Sequence, residues 1–167
     1  MLISDIRPMS GWGKRPRFRV YIDEEFAFTL YESELPRYGI ETGHTLSEAA
    51  YQEIVGSLLP KRAKARTLHM LARRRHAEGE LRSKLKNGGY PDAIVDGAVE
   101  YARSYGYLDD AAYARDYIRC HHKKRGKARI LYELAAVGIE RDVAADIYFE
   151  ELSQNNFLAL DRDDFCV

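Results

Sequence analysis

The 167-residue chain predicts a mainly α-helical protein: tandem three-helix repeats forming an elongated, curved body, with a small N-terminal β-hairpin or sheet module ahead of them. Three observations carry this. Residues 17–31, "RFRVYIDEEFAFTLY", alternate apolar and polar side chains as strands do. From residue 61 onward the apolar spacing becomes helical. That helical part also matches itself at an offset of 49 residues.

Phe18, Val20 and Ile22 point one way along the first strand of the hairpin, and Phe26, Phe28 and Leu30 continue the pattern after a turn at Asp23-Glu24-Glu25. "LISDI" at 2–6 has the same β-branched alternation and adds a third strand. A sheet this small has one apolar face that needs a cover, which the following helices supply. Ser33 is an N-cap candidate for a short helix in "YESELPRYGI", and Thr45 or Ser47 for a longer one that Pro60 should break.

Ala65, Leu68 and Leu71, then Leu81 and Leu85, then Ile94, Val95, Ala98 and Tyr101 mark three helices at 62–76, 78–87 and 91–105. Gly88-Gly89 ends the second helix and Pro91 opens the third. At the 49-residue offset Ala65 meets Ala114, Leu81 meets Ile130, Leu85 meets Leu134, Gly89 meets Gly138 and Ile94 meets Val143. The second repeat therefore has helices at 110–124, 127–136 and 140–152, the first capped by Asp109 or Asp110. The expected organisation is 1–60, β-hairpin module with covering helices; 61–108, repeat one; 109–152, repeat two; and 153–167, an acidic tail or truncated third repeat. Repeats bury their apolar faces on one another, hence the elongated shape.

The formal net charge is zero, but the charges are sorted. Residues 61–86 hold ten Lys/Arg against Glu78 and Glu80, and 117–132 hold six against none. Acidic counterweights lie at 20–53 and 140–167, with eight Asp/Glu each. Sorting of this kind provides basic segments for a polyanionic or acidic partner. With 46% apolar and 31% charged residues the chain should fold as a soluble protein. Cys120 and Cys166 have no metal-ligand or disulfide spacing, and neither an export signal nor a membrane span is present, so a cytoplasmic setting is expected.

Catalytic signatures are missing: there is no phosphate-binding glycine loop, no HExxH and no GxSxG. Cys120-His121-His122 are consecutive and fan around a helix, so they do not chelate one metal. Asp109-Asp110 reads as a helix cap, and Asp161-Asp163-Asp164 as a solvated tail. The expectation is a non-enzyme without metal or cofactor. What remains is a basic binding surface: Arg73, Arg74, Arg75, Arg82, Lys84 and Lys86 in repeat one, with Lys123, Lys124, Arg125, Lys127 and Arg129 in repeat two. The macrodipole accounts for one or two cations at a helix C-terminus, but three in each repeat, extended along the short second helices, suit electrostatic docking. Tyr101, Tyr105, Tyr107, Tyr113 and Tyr117 are of a kind that stacks on bases, although packing is the commoner use of such tyrosines. Leu81, Leu85, Tyr113, Tyr117, Ile130 and Leu134 are expected to be structural.

The run "GYLDD" at 106–110, followed by "AYARDYI", "KKRGKARILYEL" and "VGI", resembles the RecX family of recombinase regulators. "ARTLHMLARRRHAEGELRSKL" resembles the family's opening repeat, and the two together cover about 64–152. The resemblance implies tandem three-helix repeats and a modulator, usually an inhibitor, of the RecA recombinase. Such proteins lie in the groove of the RecA filament on single-stranded DNA and suppress its ATPase, strand-exchange and coprotease activities, with consequences for repair, recombination and SOS control. The chain departs from the family in three ways. Ala77 stands where Ser is common, which removes an N-cap and should cost about 1 kcal/mol locally. Val137 replaces a usually basic residue. After the second repeat only "ELSQNNFLALDRDDFCV" remains, so a third repeat is expected to be absent or truncated. The alternative to filament binding is a direct DNA-binding module of helix-turn-helix type, disfavoured by the sequence pI near 7. A monomer is expected.

Overall fold

The computed structural model describes residues 1–10 and 15–154. Three strands, β1 (Ile3–Met9), β2 (Arg17–Ile22) and β3 (Glu25–Tyr31), form one antiparallel sheet in the order β1-β2-β3. The β2–β3 turn has two residues, Asp23 and Glu24, both at positive φ (50° and 71°), the geometry that matches a tight hairpin to the strand twist. The pairing shifts between Val20 and Tyr21, a bulge after which Tyr21 pairs with Phe26. Phe26 is therefore not a core residue as its alternation predicts; it is 41% exposed and meets Tyr21 edge-on. Val20, Phe28 and Leu30 are fully buried.

Ser33 does not cap a helix. It lies within the first of two 3₁₀ turns, Glu32–Glu34 and Pro36–Tyr38, and the Glu34 carboxylate accepts from the Tyr31 N–H instead. Ser47 is the N-cap of α1 (Glu48–Glu53), its hydroxyl accepting from the Ala50 N–H. Pro60 does not break the helix that follows. A π-helical turn at Ile54–Leu58 runs straight into α2 (Leu59–Arg73), with the Leu59 N–H reaching back five residues to the Ile54 carbonyl. The wider turn accommodates a proline that cannot donate. It also adds a residue to the period, so the buried stripe steps through Ile54, Leu59, Ala63 and Thr67. Ala65, predicted on the apolar face, is exposed for that reason, and Leu68 and Leu71 are half-buried.

The remaining helices are α3 (Glu78–Asn87), α4 (Asp92–Ser104), α5 (Asp110–His121), α6 (Lys127–Ala136) and α7 (Arg141–Ser153). From α3 onward the 49-residue correspondence holds in burial: Leu81 and Ile130, Leu85 and Leu134, and Val95 and Ala144 are all fully buried. Ile94 is half-buried and Val143 is 46% exposed, so that pair sits one position off the core. Gly89 (φ 84°) and Gly138 (φ 94°) end α3 and α6 in the same way. The following N–H bonds five residues back, Tyr90 to Leu85 and Ile139 to Leu134, a cap that needs the left-handed conformation.

The chain forms two compact units. One contains Met1–Arg66 and Lys84–Ala98, with a core of Ile3, Val20, Phe28, Leu30, Ile54 and Leu59. The other contains Thr67–Ser83 and the described residues from Val99 on, with a core that includes Ala77, Ala114, Ile118, Ile130, Leu134 and Ile147. Asp161, Asp163, Asp164 and Cys166, and all but the first two residues of the expected tail, lie outside the described residues.

Candidate partner-binding surface

The ends of the first helices in the two repeats, α2 and α5, carry most of the candidate cations, and capping within the second unit positions them. Asp109 caps α5, its Oδ1 accepting from the Ala112 N–H at 2.8 Å. Asp110 accepts at 2.8 Å from the Glu78 N–H at the start of α3. The N-cap that Ala77 cannot supply thus comes from 32 residues along the chain, and Ala77 itself is fully buried. Burial raises the Asp110 carboxyl, and the charges of Glu78 and Asp109 push the same way. Next to this cap, a Cβ on Gly79 would stand 2.2 Å from the Val137 carbonyl oxygen, so α3 and the end of α6 meet backbone to backbone. Glu78 accepts from Arg82 at 2.9 Å and Arg103 at 2.5 Å; burial alone would raise its carboxyl, but the two guanidinia hold it below its ordinary value.

The eleven predicted cations separate into two groups. Arg74 reaches Glu80 (3.2 Å), Arg75 reaches Asp116 (3.2 Å), Arg82 reaches Glu78 and Lys86 reaches Asp92 (2.9 Å). Lys127 lies over the Phe149 ring, 3.8 Å from its centroid. Lys84 is half-buried and engaged within the fold. Arg125 and Arg129 both bind Glu133, at 2.7 and 3.1 Å. Among the described residues, Arg73, Lys123 and Lys124 are exposed and have no side-chain partner. Arg73 is the last residue of α2, and Lys123 and Lys124 follow the end of α5, with the Lys124 N–H donating to the His121 carbonyl.

Glu133 is the centre that sequence reasoning missed. The Tyr117 hydroxyl donates to it at 2.8 Å, and the Arg125 guanidinium donates to both the carboxylate and the phenol oxygen at 2.7 Å. The Tyr117 hydrogen bond, then the two arginines, bring the Glu133 carboxyl down to about 2, while burial and then Glu133 push the Tyr117 phenol up to about 12. The signal lay in the spacing of Arg129 and Glu133, four residues apart on one helix. Glu151, 5% exposed, is a second missed anchor, binding Arg119 at 2.7 Å.

Tyr113 is buried and Tyr117 half-buried, as packing requires. Tyr105 and Tyr107 are 62% and 53% exposed, with their rings 12° from parallel and 6.0 Å apart. The rings of His121 and His122 turn back to helix carbonyls, Nδ1 lying 2.9 Å from the Tyr117 oxygen and 3.0 Å from the Arg119 oxygen. Among the described residues no group of three or more His, Cys, Asp or Glu is placed to hold a metal ion. Nor is any described helix long and apolar enough to cross a membrane.

Residues 63–101 match the family model described as "RecX, first three-helix domain", and residues 109–146 match "RecX, second three-helix domain". A protein of Clostridium acetobutylicum named "Regulatory protein RecX" is 31% identical over 143 residues, covering 86% of this chain and 66% of the relative. A "Regulatory protein RecX" of Bacillus velezensis is 32% identical over 128 residues, which cover 75% of this chain and 49% of the relative. The chain thus spans half to two thirds of the length of these relatives. A solved structure titled "Crystal structure of regulatory protein RecX" superposes with a TM-score of 0.55 at 26% identity, covering 89% of this chain and 73% of that one.

Proposed function

The chain belongs to the RecX family, and from that premise we propose that it binds the RecA filament on single-stranded DNA and inhibits its ATPase, strand-exchange and coprotease activities. One observation carries the reading furthest: Arg73, Lys123 and Lys124 stand exposed and uncommitted at the corresponding ends of α2 and α5. The other predicted cations are largely spent on internal pairs, which are worth little at a surface but hold the side chains in place. Three free cations on two repeats suit an extended acidic or phosphate-bearing partner, and attraction of that kind speeds encounter and fixes register. The protein acts by occupancy and carries out no reaction of its own.

A second reading, direct DNA binding, is favoured by the exposed, near-parallel rings of Tyr105 and Tyr107, which offer a stacking surface for bases. Titrating the protein into a RecA ATPase assay on single-stranded DNA, with binding to bare DNA followed at the same salt, separates the two. Inhibition at concentrations too low to coat the DNA is the expected result. An unaffected ATPase alongside tight binding to bare DNA would replace the filament reading with the DNA-binding one.

A further inference from the structure

The three-stranded sheet turns one face to the core of the first compact unit through Val20, Phe28 and Leu30. Its opposite face is covered where Gly89 packs on Thr29, and beyond that it stands open at Arg7, Arg19 and Phe26. Arg7 and Arg19 are direct cross-strand partners there, and Asp5, Tyr21 and Phe26 form the neighbouring rung. The Arg7 guanidinium lies over the Tyr21 ring, 4.8 Å from its centroid, and that of Arg19 lies 6.0 Å from the centroid of Phe26. The two rings meet edge-on, 6.0 Å apart. Cations and rings therefore alternate in one contiguous cluster, with Arg7, Arg19 and Phe26 exposed and Tyr21 half-buried. Asp5 holds Arg7 at 2.5 Å. Arg19 pairs with no carboxylate among the described residues, and neither does Arg15, exposed two residues ahead of β2.

We propose that this open face is a contact surface for single-stranded nucleic acid. Like charges directly opposite each other destabilise a sheet, and Asp5 relieves only one of the two arginines. An anionic partner relieves the other. Charge thus excludes a second copy of this face, and the rings narrow the choice among anions. A purely acidic peptide would pair with Arg19 but leave Phe26, 41% exposed, in water. One exposed ring gives an anionic bilayer little to bury. A single strand offers phosphates to the guanidinia and unstacked bases to the rings and guanidinium planes, whereas a duplex keeps its bases stacked on one another. Asp23, Glu24 and Glu25, all exposed, repel a polyanion from the turn, so its path leads from Phe26 across the arginine rung toward Arg15. Both matched family domains begin after this module, at residues 63 and 109, and the proposal does not rest on the RecA reading.

The test is fluorescence anisotropy of a labelled oligo-dT strand with the intact protein and no RecA, over a series of salt concentrations, for wild type, Arg19→Gln and Phe26→Ala. Arg19→Gln loses no carboxylate partner among the described residues and relieves the pairing with Arg7, so its Tm should not fall. It should weaken binding about three- to tenfold and make the slope of log K against log salt shallower by about 0.7, the share of one phosphate contact on a single strand. Phe26→Ala should weaken binding about five- to a hundredfold with the slope unchanged. If the lost contact with Tyr21 lowers the Tm of Phe26→Ala, the Arg19→Gln slope still decides. No binding by the wild type overturns the proposal, and so do an unchanged affinity and slope in Arg19→Gln. A loss in Arg19→Gln with none in a folded Phe26→Ala also overturns it, because charge alone, as for an acidic protein, then accounts for the face. Binding to phosphatidylserine vesicles that falls in both variants while strand binding does not would assign the face to a membrane instead.

Discussion

Glu133 shows at the scale of one residue how a charge assignment changes once side chains have neighbours. Arg125 and Arg129 belong to the basic block in sequence, yet in the fold both are held by this carboxylate together with Tyr117. Its lowered value has a consequence for stability against pH. A carboxyl at about 2 in the fold, from an ordinary 4.5, contributes stability that is present above 4.5 and lost as pH falls toward 2. Tyr117, raised to about 12 from 10, contributes stability present below 10 and lost as pH rises toward 12. Denaturant unfolding of Glu133→Gln and wild type across the acid range is expected to show a shallower decline for the variant. Identical slopes would assign the acid limb to other carboxylates.

Among elements, the decisive feature is the start of α3. A helix beginning after Ala77 leaves N–H groups without an intrahelical partner, and Asp110 satisfies the one on Glu78 from the next repeat. The expected loss of about 1 kcal/mol at Ala77 is thereby offset. Asp110→Ala is expected to cost about 1 kcal/mol by urea unfolding, whereas Asp110→Asn should stay near wild type because an amide oxygen caps as well as a carboxylate. Equal losses in both would mean that charge rather than the cap matters, contrary to the burial that already disfavours the ionised form. The same scale explains Pro60, whose missing donor is absorbed by the π-helical turn before it.

For the whole molecule, a formal charge of zero conceals which charges are available to a partner. Of the eleven predicted cations most are engaged within the fold, and Arg73, Lys123 and Lys124 remain exposed and uncommitted. On the filament-binding proposal, reversing Lys123 and Lys124 to Glu together is expected to weaken that binding by tenfold or more, about 1.4 kcal/mol. The unfolding temperature should stay nearly unchanged, because neither side chain has a partner to lose among the described residues. A parallel loss of Tm would assign the two lysines to the fold instead of to a partner.

Local patterns were enough to read the three-stranded sheet, the helix boundaries from Glu78 on except the end of α5, which stops at His121 and not at 124, and the glycines at 89 and 138, because strand alternation, helix period and left-handed caps are properties of a few adjacent residues. The candidate site was legible as composition only. That Lys123 stays free while Arg125 is bound depends on Tyr117 and Glu133, brought beside them by helix packing. The inward rotation of Ala63 in place of Ala65 depends on a π-helical turn that no periodicity announces. Distances between residues far apart in the chain set desolvation and pairing, and so tertiary structure alone decided which charges are used up and which stand ready for a partner.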